Sequence, residues 1–170
     1  MKAQCSFLTR ITAMLVLGLI LVACGAKATT PASTQAPAEA ARHALEAYFS
    51  ALSAGRYTDA AALYGGDYQV LMDNNPAIDP NDNKALFQNA CQINGFVCNL
   101  AIKSYVSESQ PSEAEFVFTV EFQSADGKLF SLGPCCGADP TEMPPVTQFE
   151  FHVQVVNGNY KVMDLPVYQP

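Results

Sequence analysis

Glu115–Phe122 reads EFVFTVEF. In an extended chain successive side chains point to opposite faces, so Phe116, Phe118, Val120 and Phe122 share one side while Val117, Thr119 and Glu121 share the other. That is the pattern of a strand with one face in a core. Just beyond it, Ser124-Ala125-Asp126-Gly127 has turn chemistry and predicts a hairpin into Lys128–Leu132, since Gly127 can take a positive φ at no steric cost. Phe149, Phe151, Val153 and Val155 alternate with Glu150, His152 and Gln154 in a further strand. Asn157-Gly158 is a strong two-residue hairpin signal leading into Tyr160–Val167. With Asn99–Ser107 before them, these segments predict four or five antiparallel strands.

Upstream of Cys98 the period is helical. Ala41, Leu45, Tyr48, Phe49 and Leu52 fall on one face of a helix over 38–53, and Gly55 stands where a helix stop belongs. A shorter, alanine-rich helix fits Tyr57–Tyr64 and ends at Gly65-Gly66. After a turn-rich stretch (DNNPAIDPND, 73–82), Asp82 can cap a third helix running to about Ala90, with Leu86, Phe87, Ala90 and Cys91 inward. Helices first and antiparallel strands after predict an α+β domain, three N-terminal helices packed on one sheet.

The 170 residues suffice for one core, and 49% hydrophobic against 15% charged residues excludes a disordered chain. Ahead of the helices lies a different region. Residues 1–10 hold two cations and no acid, and Ile11–Ala23 (ITAMLVLGLILVA) is almost wholly apolar, the pattern of an export signal. Thirteen helical residues reach only about 20 Å, short of the roughly 30 Å hydrocarbon core that a permanent span must cross. Leu21-Val22-Ala23-Cys24 resembles the lipobox of bacterial lipoproteins at each of its positions. The resemblance implies cleavage before Cys24, a diacylglycerol thioether on its sulfur and acylation of the new terminus, palmitate being a usual chain. The expected organisation is a signal peptide at 1–23, lipidated Cys24 with a flexible tether to 38 (GAKATTPASTQAPA from Gly25), and a single domain at 39–170. The expected location is the extracytoplasmic face of a cell membrane, the outer membrane if the cell has one. Of nine Lys and Arg, Lys2 and Arg10 precede the cleavage point, leaving seven scattered cations against 16 Asp and Glu and a formal charge of −9. An unclustered acidic surface excludes nucleic acid as partner.

The stretch ARHALEAYFSALSAGRYTDAAALYGG (41–66) and the closing GNYKVMDLPV (158–167) resemble the nuclear transport factor 2-like superfamily. That resemblance implies a curved sheet wrapped around the helices as a cone with a pocket at its open end. Its members include isomerases, dehydratases and non-enzymatic binding or accessory domains. It also makes Asp164 the candidate general base, on a strand face with Tyr160 and Val162 and aimed into the pocket, where burial would raise a carboxylate's pKa. The competing reading is a carboxylate that satisfies backbone amides at a strand end.

Six cysteines are present. Cys5 leaves with the signal and Cys24 is lipidated, so Cys91, Cys98, Cys135 and Cys136 remain, an even set that suggests disulfides in an exported domain. Three connectivities exist. Cys91 with Cys98 closes a short glycine-containing loop, which leaves Cys135 and Cys136 as a vicinal bridge or two thiols; the others cross-link the two pairs. Four thiols can also hold zinc or copper(I), but Cys-x6-Cys followed by adjacent cysteines matches no common site, and Cys-x-x-Cys is absent. Asp79-x-Asn81-x-Asn83 lacks the glycine and the final acid of an EF-hand and reads as a turn. His43 and His152 read as surface residues. No Gly-x-Ser-x-Gly, phosphate loop, dinucleotide fingerprint or His-Glu-x-x-His occurs. No cofactor or metal is therefore expected. The sequence favours a lipid-anchored, non-enzymatic domain that binds a small apolar ligand or a protein. The alternatives are a proton-transfer pocket enzyme and a thiol or metal protein.

Overall fold

In the computed structural model, residues 36–134, 138–141 and 143–169 are described. The expected lipidation site at Leu21–Cys24, Cys135 and Cys136 lie outside them. Four helices come first: α1 (Pro37–Ser53), α2 (Tyr57–Leu63), α3 (Gln69–Asp73) and α4 (Asn83–Gln92). They are followed by β1 (Ala101–Ser112), β2 (Glu115–Gln123), β3 (Gln148–Val156) and β4 (Asn159–Val162) in one antiparallel sheet, in the spatial order β1-β2-β3-β4. The α+β class and the sheet follow the sequence reading. The count of three helices, all packed on the sheet, does not. Only one turn long, α3 presents a single buried residue, Leu71, too little to show as a period. Among the main packing contacts, α1 meets β1, β3 and β4, α2 meets β4, and α4 packs on α2 with α3 against it.

Local chemistry explains the boundaries. Pro37 sits at the first helical position of α1, where its missing N–H costs nothing. Asp82 caps α4 as expected, accepting the Ala85 amide at 3.0 Å. Asn157 and Gly158 both take positive φ, 52° and 77°, the pair of values that a two-residue turn needs to match the twist of β3 and β4. Two expected strands are cut short. Lys128–Leu132 makes only isolated bridges, Gln123 to Leu129 and Leu132 to Val146, and Tyr160–Val167 keeps strand pairing only to Val162. Pro166 offers no N–H with which to continue a ladder.

The core is aromatic. Phe116, Phe118, Val120 and Phe122 are fully buried beneath α1, whose Phe49 meets the rings of Phe122 at 4.6 Å and Phe151 at 5.0 Å. A second cluster joins the helices, where the Phe87 ring of α4 meets Tyr48, Tyr64 and Tyr68 edge to face. Tyr64 leaves α2 beside the sheet and bridges Val162 in parallel, and the Gly65 amide donates to the Val162 carbonyl at 2.8 Å. Gly65-Gly66 therefore does more than stop a helix. A Cβ on Gly66 would lie 2.1 Å from the Met163 carbonyl oxygen, so only glycine lets the chain cover the β4 edge. At the far end of α1, Arg42 pairs with Glu108 and stacks 4.6 Å over the Tyr105 ring, tying the helix to β1.

Candidate functional site

Where β4 ends, the chain bends and Asp164 takes over a ladder position. The Met163 amide still donates to the His152 carbonyl at 2.9 Å, whereas the His152 amide donates to Asp164 Oδ2 at 2.5 Å. A side-chain oxygen thus accepts what the next main-chain carbonyl would have accepted in a continuing strand. The same Oδ2 lies 3.0 Å from His152 Nδ1, and His152 Nε2 lies 3.8 Å from Glu150 Oε1. His152 therefore stands between two carboxylates.

Of the two readings of Asp164, the strand-end acceptor is the one with a partner. Tyr160 and Val162 do not share a pocket face with it: Val162 is buried in the core and Tyr160 packs on Phe116 at 5.9 Å between ring centres. Asp164 lies past the strand, about one-third exposed. Alternation puts His152 on the face away from the phenylalanines, and there its ring pairs with Asp164, a contact that no period encodes. The signal was available: Asp164-Leu165-Pro166 puts a short acceptor just before a strand-ending proline.

Asp164 also borders a cleft of about 500 Å3. Its walls are the end of β3 (Phe149, Phe151), the C-terminal segment (Leu165, Val167, Tyr168) and the bridged pair Leu132 and Val146. Glu150 and Asp164 supply its charge, and among the described residues no Lys or Arg lines it. The position has a cause in the sheet. Released from pairing after Val162, the C-terminal segment turns towards the helices, where the Val97 amide donates to the Val167 carbonyl at 2.8 Å and Tyr168 packs on Phe96 at 5.4 Å. The end of β3 is left uncovered beside it. Tyr48 and Tyr64 lie near enough to Asp164 to feel its charge. Burial, chiefly, and the nearby Asp164 charge push both phenols well above their ordinary range, and burial raises Tyr68 to about 12. These phenols remain neutral across physiological pH.

Compared with protein-family models and with curated proteins, the chain matches none. Function must come from the site.

The remaining candidates are dispersed. Cys91 and Cys98 stand at disulfide distance, with Cα atoms 5.4 Å apart, joining α4 to the segment that enters the sheet. His43 is exposed on α1 between Glu39 and Glu46. Asp79 accepts from the Asn81 amide at 2.9 Å, a side-chain turn of the kind Asp favours. Among the described residues, no three His, Cys, Asp or Glu side chains gather as metal ligands, and no helix is long and apolar enough to cross a membrane.

Proposed function

We propose that this protein is a lipid-anchored, extracytoplasmic binding domain of the nuclear transport factor 2-like type, taking a small, largely apolar ligand in the cleft bordered by Asp164. One observation carries the choice of binding over catalysis. The middle of the space between α1 and the sheet is filled by rings, with Tyr48, Phe49, Phe116, Phe118 and Phe122 all under 2% exposed, leaving a smaller cleft of about 250 Å3 on its β1 side, between Ser50 and Ile102. The one carboxylate suspected of catalysis is engaged by a main-chain amide. What remains is an open, apolar-walled cleft within the size range of small-molecule sites. The helices-then-sheet order, with α1 across the phenylalanine face, supports the superfamily reading. The address rests on the lipobox resemblance at Leu21–Cys24, since acyl chains stabilise membrane attachment by about 0.8 kcal/mol per buried methylene.

Mass spectrometry of protein purified from its native membrane tests both halves. The expected result is an acylated N-terminal Cys24 peptide and an apolar small molecule released on denaturation. Replacing Cys24 with Ala should leave an unprocessed chain without lipid. Membrane retention of the wild type with no acyl mass would sink the address.

A further inference from the structure

Resting on that binding reading, we infer that the ligand of the cleft is an organic ammonium: an apolar body carrying a single positive charge. Three features of the lining point the same way. Both of its charged side chains, Glu150 and Asp164, are acids, set on opposite sides of the His152 ring by contacts of 3.8 and 3.0 Å. Aromatic rings accompany them. Phe149 is half-buried in the wall and Tyr168 is 51% exposed at its rim, and an aromatic face attracts a cation through its quadrupole. Of the remaining lining, Leu132, Val146, Leu165 and Val167 are aliphatic, Phe151 is aromatic and Gln148 adds one neutral amide.

An anionic ligand such as a fatty acid would meet two carboxylates with only the His152 ring between them as a counter-charge. A neutral apolar ligand would leave the acids unused while gaining the same walls. A permanent ammonium satisfies both halves without needing hydrogen-bond donors or acceptors in the aliphatic wall. Substrate protons are not involved, so Asp164 can keep the His152 amide while its charge acts at a distance.

Three probes with the same eight-carbon body decide the matter: octyltrimethylammonium, 1-octanol and octyl sulfate. Binding is read by calorimetry and located by chemical-shift changes at Leu132, Val146 and Leu165. Octyltrimethylammonium should bind about tenfold more tightly than octanol, the factor that a cation beside aromatic rings and a carboxylate contributes, and octyl sulfate should bind most weakly. Replacing the exposed Glu150 with Gln should shrink the ammonium preference over octanol to about threefold, and an unchanged preference would overturn the cation inference. Equal binding of octanol and the ammonium at these residues would overturn the cation inference and leave the apolar cleft standing. Failure of all three probes to shift these residues would overturn the cleft itself.

Discussion

At the scale of single residues, Asp164 and Tyr48 are a polar group with a partner and one without. Asp164 accepts the His152 amide at the point where the sheet runs out of main-chain acceptors. Asp164→Ala leaves that donor without its partner and should cost about 1–3 kcal/mol, whereas Asp164→Asn keeps an oxygen in place and should cost less than half as much. Urea denaturation of the two variants measures the difference, and equal losses would show that charge, not acceptance, is what matters there. The Tyr48 hydroxyl is fully buried with no hydrogen-bond partner among the described residues. Removing it as Tyr48→Phe should leave stability unchanged or raise it by about 1 kcal/mol, because a desolvation cost disappears while the ring's packing stays. A clear loss of stability would mean that the hydroxyl has a partner, such as an ordered water.

Among the secondary-structure elements, those with a strong period were legible from sequence and the joints between them were not. The Phe116–Phe122 alternation and the Ala41–Leu52 stripe both gave the correct buried face, since each rests on four or more residues obeying one repeat. By contrast α3 offers one buried residue, and the end of β4 depends on a side chain replacing a main-chain acceptor, which no period encodes. The candidate cleft was illegible for the same reason. Its walls come from three separate stretches, Leu132, Val146–Phe151 and Asp164–Tyr168, which no single period joins. Gly66 belongs to such a joint. Gly66→Ala should destabilise the protein by at least about 2 kcal/mol, since the new methyl meets a main-chain oxygen that cannot move without disturbing β4. Gly133→Ala, where a Cβ meets nothing within 4 Å, should change stability by no more than about 0.5 kcal/mol. Thermal melts of the pair separate a steric requirement from a general intolerance of alanine.

Across the whole molecule, buried phenols set an alkaline limit. Tyr48, Tyr64, Tyr68 and Tyr105 are all raised above the ordinary phenol range, in each case first by burial. A phenol with a higher pKa folded than unfolded contributes stability that is complete below its unfolded value, near 10, and is lost as pH rises through the folded one, about 12 for Tyr68. Stability should therefore be flat towards neutrality on this account and fall above pH ~10. Phenolate absorbance from these four tyrosines should appear together with loss of the fold. Their full ionisation with the circular dichroism still native would contradict the buried cluster.

The two borders of the sheet are unequal. Beside β4 the chain leaving α2 lies alongside, with Tyr64 and Gly65 on Val162, whereas β1 is an outer strand of twelve residues. Its pairing with β2 slips three times, between Ile102 and Ser104, Tyr105 and Ser107, and Ser109 and Ser112, and Pro111 falls within the last slip. A neighbour trying to zip onto this border would meet a strand whose amides do not fall on one regular line and which lacks one of them altogether. That irregularity is a guard against self-association: crowding alone would not convert neighbouring copies into a continuous ribbon of shared sheet.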